Sequence, residues 1–178
     1  MILPVILGQA PSRQGDGRPF TGPSGDRLLK MIGVATRDDL LTLFRLENLF
    51  NTPLPPHPPR KPNGHTVKNT FNKARGREAA LDFVQRQNDY LINQLGPKGA
   101  EDFHKVHNYI EVIVLGKKVW ESFGLRGDAS LFSSVRSRRW YIQFYRFPHP
   151  SGLNHQLNDP EILQAASQHL KRIAGITS

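Results

Sequence analysis

Two stretches of the chain hold residue types that could do chemistry. In Phe147-Pro-His-Pro-Ser-Gly-Leu-Asn154, a single histidine, His149, stands between two prolines directly after the aromatic run Trp140–Tyr145. Proline fixes φ, so this imidazole is presented rigidly, as a donor aimed at a developing negative charge must be. Ser151 and Gly152 could bring backbone against a phosphate, and Leu153 is an apolar side chain in a polar loop, the type that wedges into a base stack. The bland alternative is a capping histidine in an ordinary loop.

The second stretch is Gly8-Gln-Ala-Pro-Ser-Arg-Gln-Gly-Asp-Gly-Arg-Pro-Phe-Thr-Gly-Pro-Ser-Gly-Asp-Arg-Leu-Leu29, which leaves an apolar run and enters a helical pattern. Its five glycines let backbone approach a ligand closely and expose N–H groups to it. The spacing is not that of a nucleotide phosphate loop, and no lysine ends it. Nor does the strand exit carry a dinucleotide fingerprint. With no cysteine in the chain, disulfides, cysteine-ligated zinc, thiol nucleophiles and cysteine-held iron–sulfur clusters are excluded, and a reducing interior suits it. No metal and no cofactor is expected. The net charge of +9 makes a polyanion the expected partner, nucleic acid first, with salt-sensitive binding. Arg136, Arg138 and Arg139, shortly before the His149 loop in sequence, are the candidate phosphate contacts, although arginines that merely solvate a turn would look the same.

These residues need a scaffold, and 178 residues with 38% hydrophobic content suit one domain with one core. Strand-length apolar runs occur at Val5–Leu7, around Leu41–Phe50, at Tyr109–Leu115 and at Trp140–Phe147. Helical spacing covers 24–34 and 78–95, and Asp159-Pro160 opens a further helix to about Arg172. Strands alternating with helices predict an α/β fold: a three-layer α/β/α sandwich on a central, mostly parallel four-stranded sheet, with sites at the strands' carboxyl ends. Six prolines between 53 and 62 forbid regular structure, so 52–73 reads as a Pro-rich basic surface loop. The opening Met1–Leu7 lacks a basic n-region and is too short for a membrane span, so it reads as a buried strand.

Taken together the two stretches resemble the uracil-DNA glycosylase superfamily, whose first motif follows strand one and whose second is a His-Pro-Ser-type loop near the C-terminus. Gly8-Gln-Ala-Pro11, Gly17-Arg-Pro-Phe-Thr-Gly22 and Ser24-Gly25 look most like the bacterial and archaeal families four and five. His149-Pro-Ser-Gly-Leu-Asn154 blends their His-Pro-Ser with the Pro-Ser-Gly-Leu of the mismatch-specific branch. Val112–Gly116 followed by a helix through Trp120, and Leu46-Glu-Asn-Leu-Phe50 before the Pro-rich loop, are similar to the middle strands. The resemblance implies a monofunctional DNA glycosylase that hydrolyses the N-glycosidic bond of a flipped uracil or related damaged or modified pyrimidine. It implies that Phe20 stacks on the base, Asn48 bonds its Watson–Crick edge, His149 stabilises the departing pyrimidine and Leu153 fills the vacated stack. It also implies a DNA-bound monomer, nucleoid-associated in a cytoplasm or nuclear in a eukaryote. Ala10 stands where the most active branch carries a catalytic Asp, and Gln9 where family four has Glu; both would lie against the base. Pro23 replaces an acidic residue of family five, and the family-four cluster cysteines are missing. Asp16 is the nearest carboxylate in the loop and the expected water-orienting group, ahead of Asp26, which serves the next helix. The alternatives these departures raise are a base-sensing DNA-binding protein without hydrolysis, or an enzyme for a hypermodified base.

Overall fold

The computed structural model describes residues 2–10, 18–51, 73–106, 108–150 and 155–176. Five strands form one sheet in the order β2-β1-β3-β5-β4. They are β1 (Val5–Gly8), β2 (Arg45–Asn48), β3 (Ile110–Leu115), β4 (Ser134–Ser137) and β5 (Ile142–Phe147). The first three and β5 pair in parallel; β4 runs antiparallel to β5 at one edge. The architecture is therefore the expected sandwich, with a fifth strand added.

Alternation along the strands builds the two cores, because successive side chains point to opposite faces. Val5 and Leu7, Val112 and Val114, and Ile142 and Phe144 face α3 (Lys73–Lys105) and α4 (Lys117–Ser122). Ile6, Ile113 and Leu115, and Tyr145 and Phe147 face α1 (Pro23–Ile32), α2 (Arg37–Leu43) and α5 (Pro160–Ile173). Buried aromatics fill both sides, with Phe83, Trp120 and Phe144 in the first layer and Phe44 and Phe147 in the second.

Local chemistry sets the helix ends. Pro23 opens α1 and Gly33, at φ 81°, closes it by donating to Leu29 O at 2.8 Å. Asp159 caps α5 by accepting from Glu161 N at 2.9 Å, ahead of Pro160. Two expectations need correction. The strand around Leu41–Phe50 divides: Thr36 and Asp39 form a reciprocal capping box that starts α2, so Leu41–Leu43 are helical and only Arg45–Asn48 extend. The strand drawn from Trp140 begins at Ile142, since Tyr141 sits at φ 51° in the turn after β4. The helix expected over 78–95 runs from Lys73 to Lys105, interrupted at Gly96 (φ 72°) before Pro97.

Candidate functional site

In the sheet's pairing, Gly8 lies opposite Asn48, Leu7 opposite Val114 and Leu115 opposite Phe147. The carboxyl ends of four parallel strands thus form one rim, each about 4.8 Å from the next. The sequence places Gly8-Gln9-Ala10, Asn48, Gly116 and Pro148-His149-Pro150 on it.

Gly8 has no side chain because none fits. A Cβ there would stand 2.6 Å from Phe20 Cζ and 2.9 Å from Asn48 Oδ1, so ring and amide meet over the bare backbone of β1. Phe20 takes φ 55°, a left-handed conformation that costs an aromatic residue about 1–3 kcal/mol and persists only where surroundings impose it. Here they do. Arg37 Nη1 donates to Phe20 O at 3.3 Å, and the same carbonyl rests on Gly25, where a Cβ would be 1.9 Å away.

Asn48 is 7% exposed and held from both sides. Leu49 N donates to Gly8 O at 2.8 Å and Phe50 N to Gln9 O at 2.9 Å, which fixes the β1 exit against the β2 exit. Arg86 Nη2 donates to Asn48 O at 3.3 Å while its Nε lies 3.8 Å from Glu47 Oε2. Behind them Gln87, fully buried, donates to both Glu47 oxygens at 3.0 and 3.1 Å and accepts from Arg45. These bonds tie β2 to α3 directly behind Asn48. A cleft of about 190 Å³, lined by Pro19, Asn48, Asn51 and Arg86 among others, opens beside it at the β2 edge.

His149 sits across the rim on Gly116, whose α-carbon faces the imidazole: a Cβ there would be 3.5 Å from His149 Cβ and Cδ2. Gly116, at φ 94°, also donates to Phe147 O at 2.9 Å and so anchors the loop's start. Pro148 and Pro150 are buried, as rigid presentation requires. Burial pushes the His149 imidazole below its ordinary range, so at neutral pH it is uncharged and carries one N–H donor. An aromatic ring, an amide and a neutral imidazole on one rim can stack on a planar heterocycle, bond its edge and stabilise charge on it.

Burial likewise lowers His104, stacked on Tyr141, and His169, stacked on Phe132, where Arg172 adds repulsion. Each imidazole binds its proton less readily folded than unfolded, so below about pH 6.5 the unfolded chain takes up more protons and stability falls with pH. The melting temperature is expected to drop between about pH 7.5 and pH 5.5, and to drop less when His104, His149 and His169 are all Asn. A wild-type profile flat over that window would contradict the burial of these rings.

Gln9 and Ala10, both half-buried, follow Gly8 directly at the rim. Asp16, Ser151, Gly152, Leu153 and residues 52–72 of the Pro-rich loop lie outside the described residues. The arginines are not brought to the site. Arg136 is on β4 opposite Gln143, and Arg138 and Arg139 are in the turn that enters β5, whereas His149 follows the strand's far end. Six residues of strand separate them, roughly 20 Å. Arg136 is instead engaged with Gln143, at 2.9 Å, and with the ring of Tyr109. Cations on elements at the rim itself are Arg18, Arg37, Arg86, Lys117 and Lys118, none singled out by motif. Gly8 and Gly116 as the floors under Phe20 and His149 were also missed; a glycine ending each strand was the available signal.

Among the described residues no three metal-ligating side chains cluster, and no helix is long and apolar enough to cross a membrane. No curated protein matches the chain. The family model for the uracil DNA glycosylase superfamily matches residues 4–171, which takes in every element from β1 through most of α5 and both ends of the rim. With the family model spanning nearly all of it, from the strand before Phe20 past the loop of His149, the chain belongs to the uracil-DNA glycosylase superfamily.

Proposed function

We propose that this protein is a monofunctional DNA glycosylase that releases uracil, or a related damaged or modified pyrimidine, from a nucleotide flipped out of DNA. The observation that carries the reading is the meeting of Phe20 and Asn48 over Gly8, one strand away from His149 on Gly116. Phe20 stacks on the flipped base, worth ~1–3 kcal/mol, and Asn48 bonds its Watson–Crick edge. His149 donates to the pyrimidine oxygen on which charge grows as the bond from the ring nitrogen to the sugar's C1′ breaks. Water then adds to C1′, one of its protons is lost, and a proton returns to the base, leaving an abasic site. Asp16 orients that water, Leu153 occupies the vacated stack, and Ser151 and Gly152 meet the phosphates. Such a protein works as a monomer on duplex or single-stranded DNA.

One observation favours a second reading, a base-sensing DNA-binding protein. Ala10 brings no carboxylate to the rim at the position where the family's active branch has Asp. Oligonucleotides containing uracil, hypoxanthine or 5-hydroxymethyluracil, treated with the protein and then with hot alkali, separate the two. Strand cleavage at a pyrimidine site, faster in single strands or mismatches where flipping costs least, is expected. Tight binding without alkali-labile sites on any substrate would favour the sensor.

A further inference from the structure

Asn48 is the last residue of β2, and β2 is an edge strand of the sheet, so only its inner side lies against another strand. On that side Leu49 N donates to Gly8 O and Phe50 N to Gln9 O. On the outer side the support comes from α3, 38 residues further along the chain, where Arg86 Nη2 donates to the main-chain carbonyl of Asn48 at 3.3 Å. The guanidinium is itself held. Its Nε lies 3.8 Å from Glu47 Oε2, and its carbon stands 5.6 Å from the ring centroid of Phe83, which is fully buried. Glu47 in turn accepts from the buried Gln87 at 3.0 and 3.1 Å. Phe83, Arg86 and Gln87, on one stretch of α3, thus hold two consecutive residues of β2.

The work asked of Asn48 gives this hold a purpose. A carboxamide reads a base edge with an oxygen that accepts and a nitrogen that donates, so both atoms must be placed to within about 0.5 Å. Released from Arg86, the end of the edge strand could swing outward into the cleft of about 190 Å³ that Arg86 and Asn48 both line, and carry the amide away from Phe20. We infer that Arg86 is a positioning residue: it fixes the main chain of Asn48 so that the amide meets the flipped base, and it touches neither the base nor the DNA backbone. The inference rests on the reading of Asn48 as the residue that bonds the base. A partly exposed arginine at the rim has two other available roles, and each leaves its own mark. A phosphate contact would add salt-dependent affinity for any DNA, and a packing role would add stability alone.

The test is a double-mutant cycle of Arg86→Met and Asn48→Ala, read as single-turnover release of uracil from a single-stranded oligonucleotide. Arg86→Met is expected to slow release about tenfold when Asn48 is present, and less than about twofold in the Asn48→Ala background, because Arg86 acts only through the amide. Arg86→Lys keeps a cation and a donor, so it is expected to recover part of the rate, and it serves if methionine disturbs α3. Affinity for a uracil-free strand, and its dependence on salt, stay at the wild-type values. Equal losses in the two backgrounds would overturn the inference. So would a salt slope lowered by about 0.7, the mark of a lost phosphate contact on a single strand, or a lowered melting temperature with the specific rate of the folded fraction intact. If the wild type releases no base, the glycosylase reading fails by itself, and the same cycle is read on the preference for binding a uracil-containing strand over one with an abasic analogue. Coupled losses of that preference would uphold the role of Arg86, and additive losses, or no preference in the wild type, would overturn it.

Discussion

Replacing His149 by Ala is expected to slow base release about 100–1,000-fold in single turnover while leaving DNA affinity nearly unchanged. A preorganised donor aimed at a developing oxyanion acts only as charge appears, and removing one costs about that factor. The imidazole is held for this work, with buried prolines on both sides, the bare α-carbon of Gly116 against its ring, and burial that keeps it neutral. Because its pKa lies below the ordinary histidine range, the rate should show no inflection near pH 6.5 that disappears in His149→Ala. A structural His149 would give a different pattern, a lowered melting temperature with the specific rate of the folded fraction intact.

Gly8→Ala is expected to be nearly as damaging, on the order of 100-fold, without touching any group that does chemistry. The added methyl would stand 2.6 Å from the tip of the Phe20 ring and 2.9 Å from the Asn48 oxygen, so both must move away from where the base is held. Ring and amide can yield without unfolding the sheet, so the melting temperature should shift little. The effects should also be non-additive: in a Phe20→Leu background, where the ring tip is gone, Gly8→Ala should cost much less than alone. Equal costs in the two backgrounds would show that Gly8 acts through the strand rather than through Phe20.

The sequence was most legible where composition left a single reading. The Pro-flanked histidine and the β-branched runs of β1 and β3 each permit few conformations, and the structure holds them where patterning put them. Strand β4 was not legible, since Ser134–Ser137 is exposed and polar and an edge strand needs no apolar alternation. The run from Leu40 to Leu46 could extend or coil by periodicity alone, and the Thr36–Asp39 box decided it. The distance of Arg136, Arg138 and Arg139 from His149 was not legible in the sequence, because the intervening strand β5 carries the chain across the sheet. The support behind Asn48, built by Arg86 and Gln87 from α3, has no local signature because the pairing spans about forty residues.

If the rim breaks an N-glycosidic bond, the masses of the products must show it. Wild-type protein and Ala10→Asp are each incubated in excess with a single-stranded oligonucleotide carrying one uracil. Free uracil is expected from the wild type, together with an oligonucleotide that has lost the base and gained water, and release should be faster from Ala10→Asp, where a carboxylate is restored at the β1 exit. Intact oligonucleotide with both proteins, under conditions where both bind it, would rule out hydrolysis and leave a protein that holds a base without cutting it out.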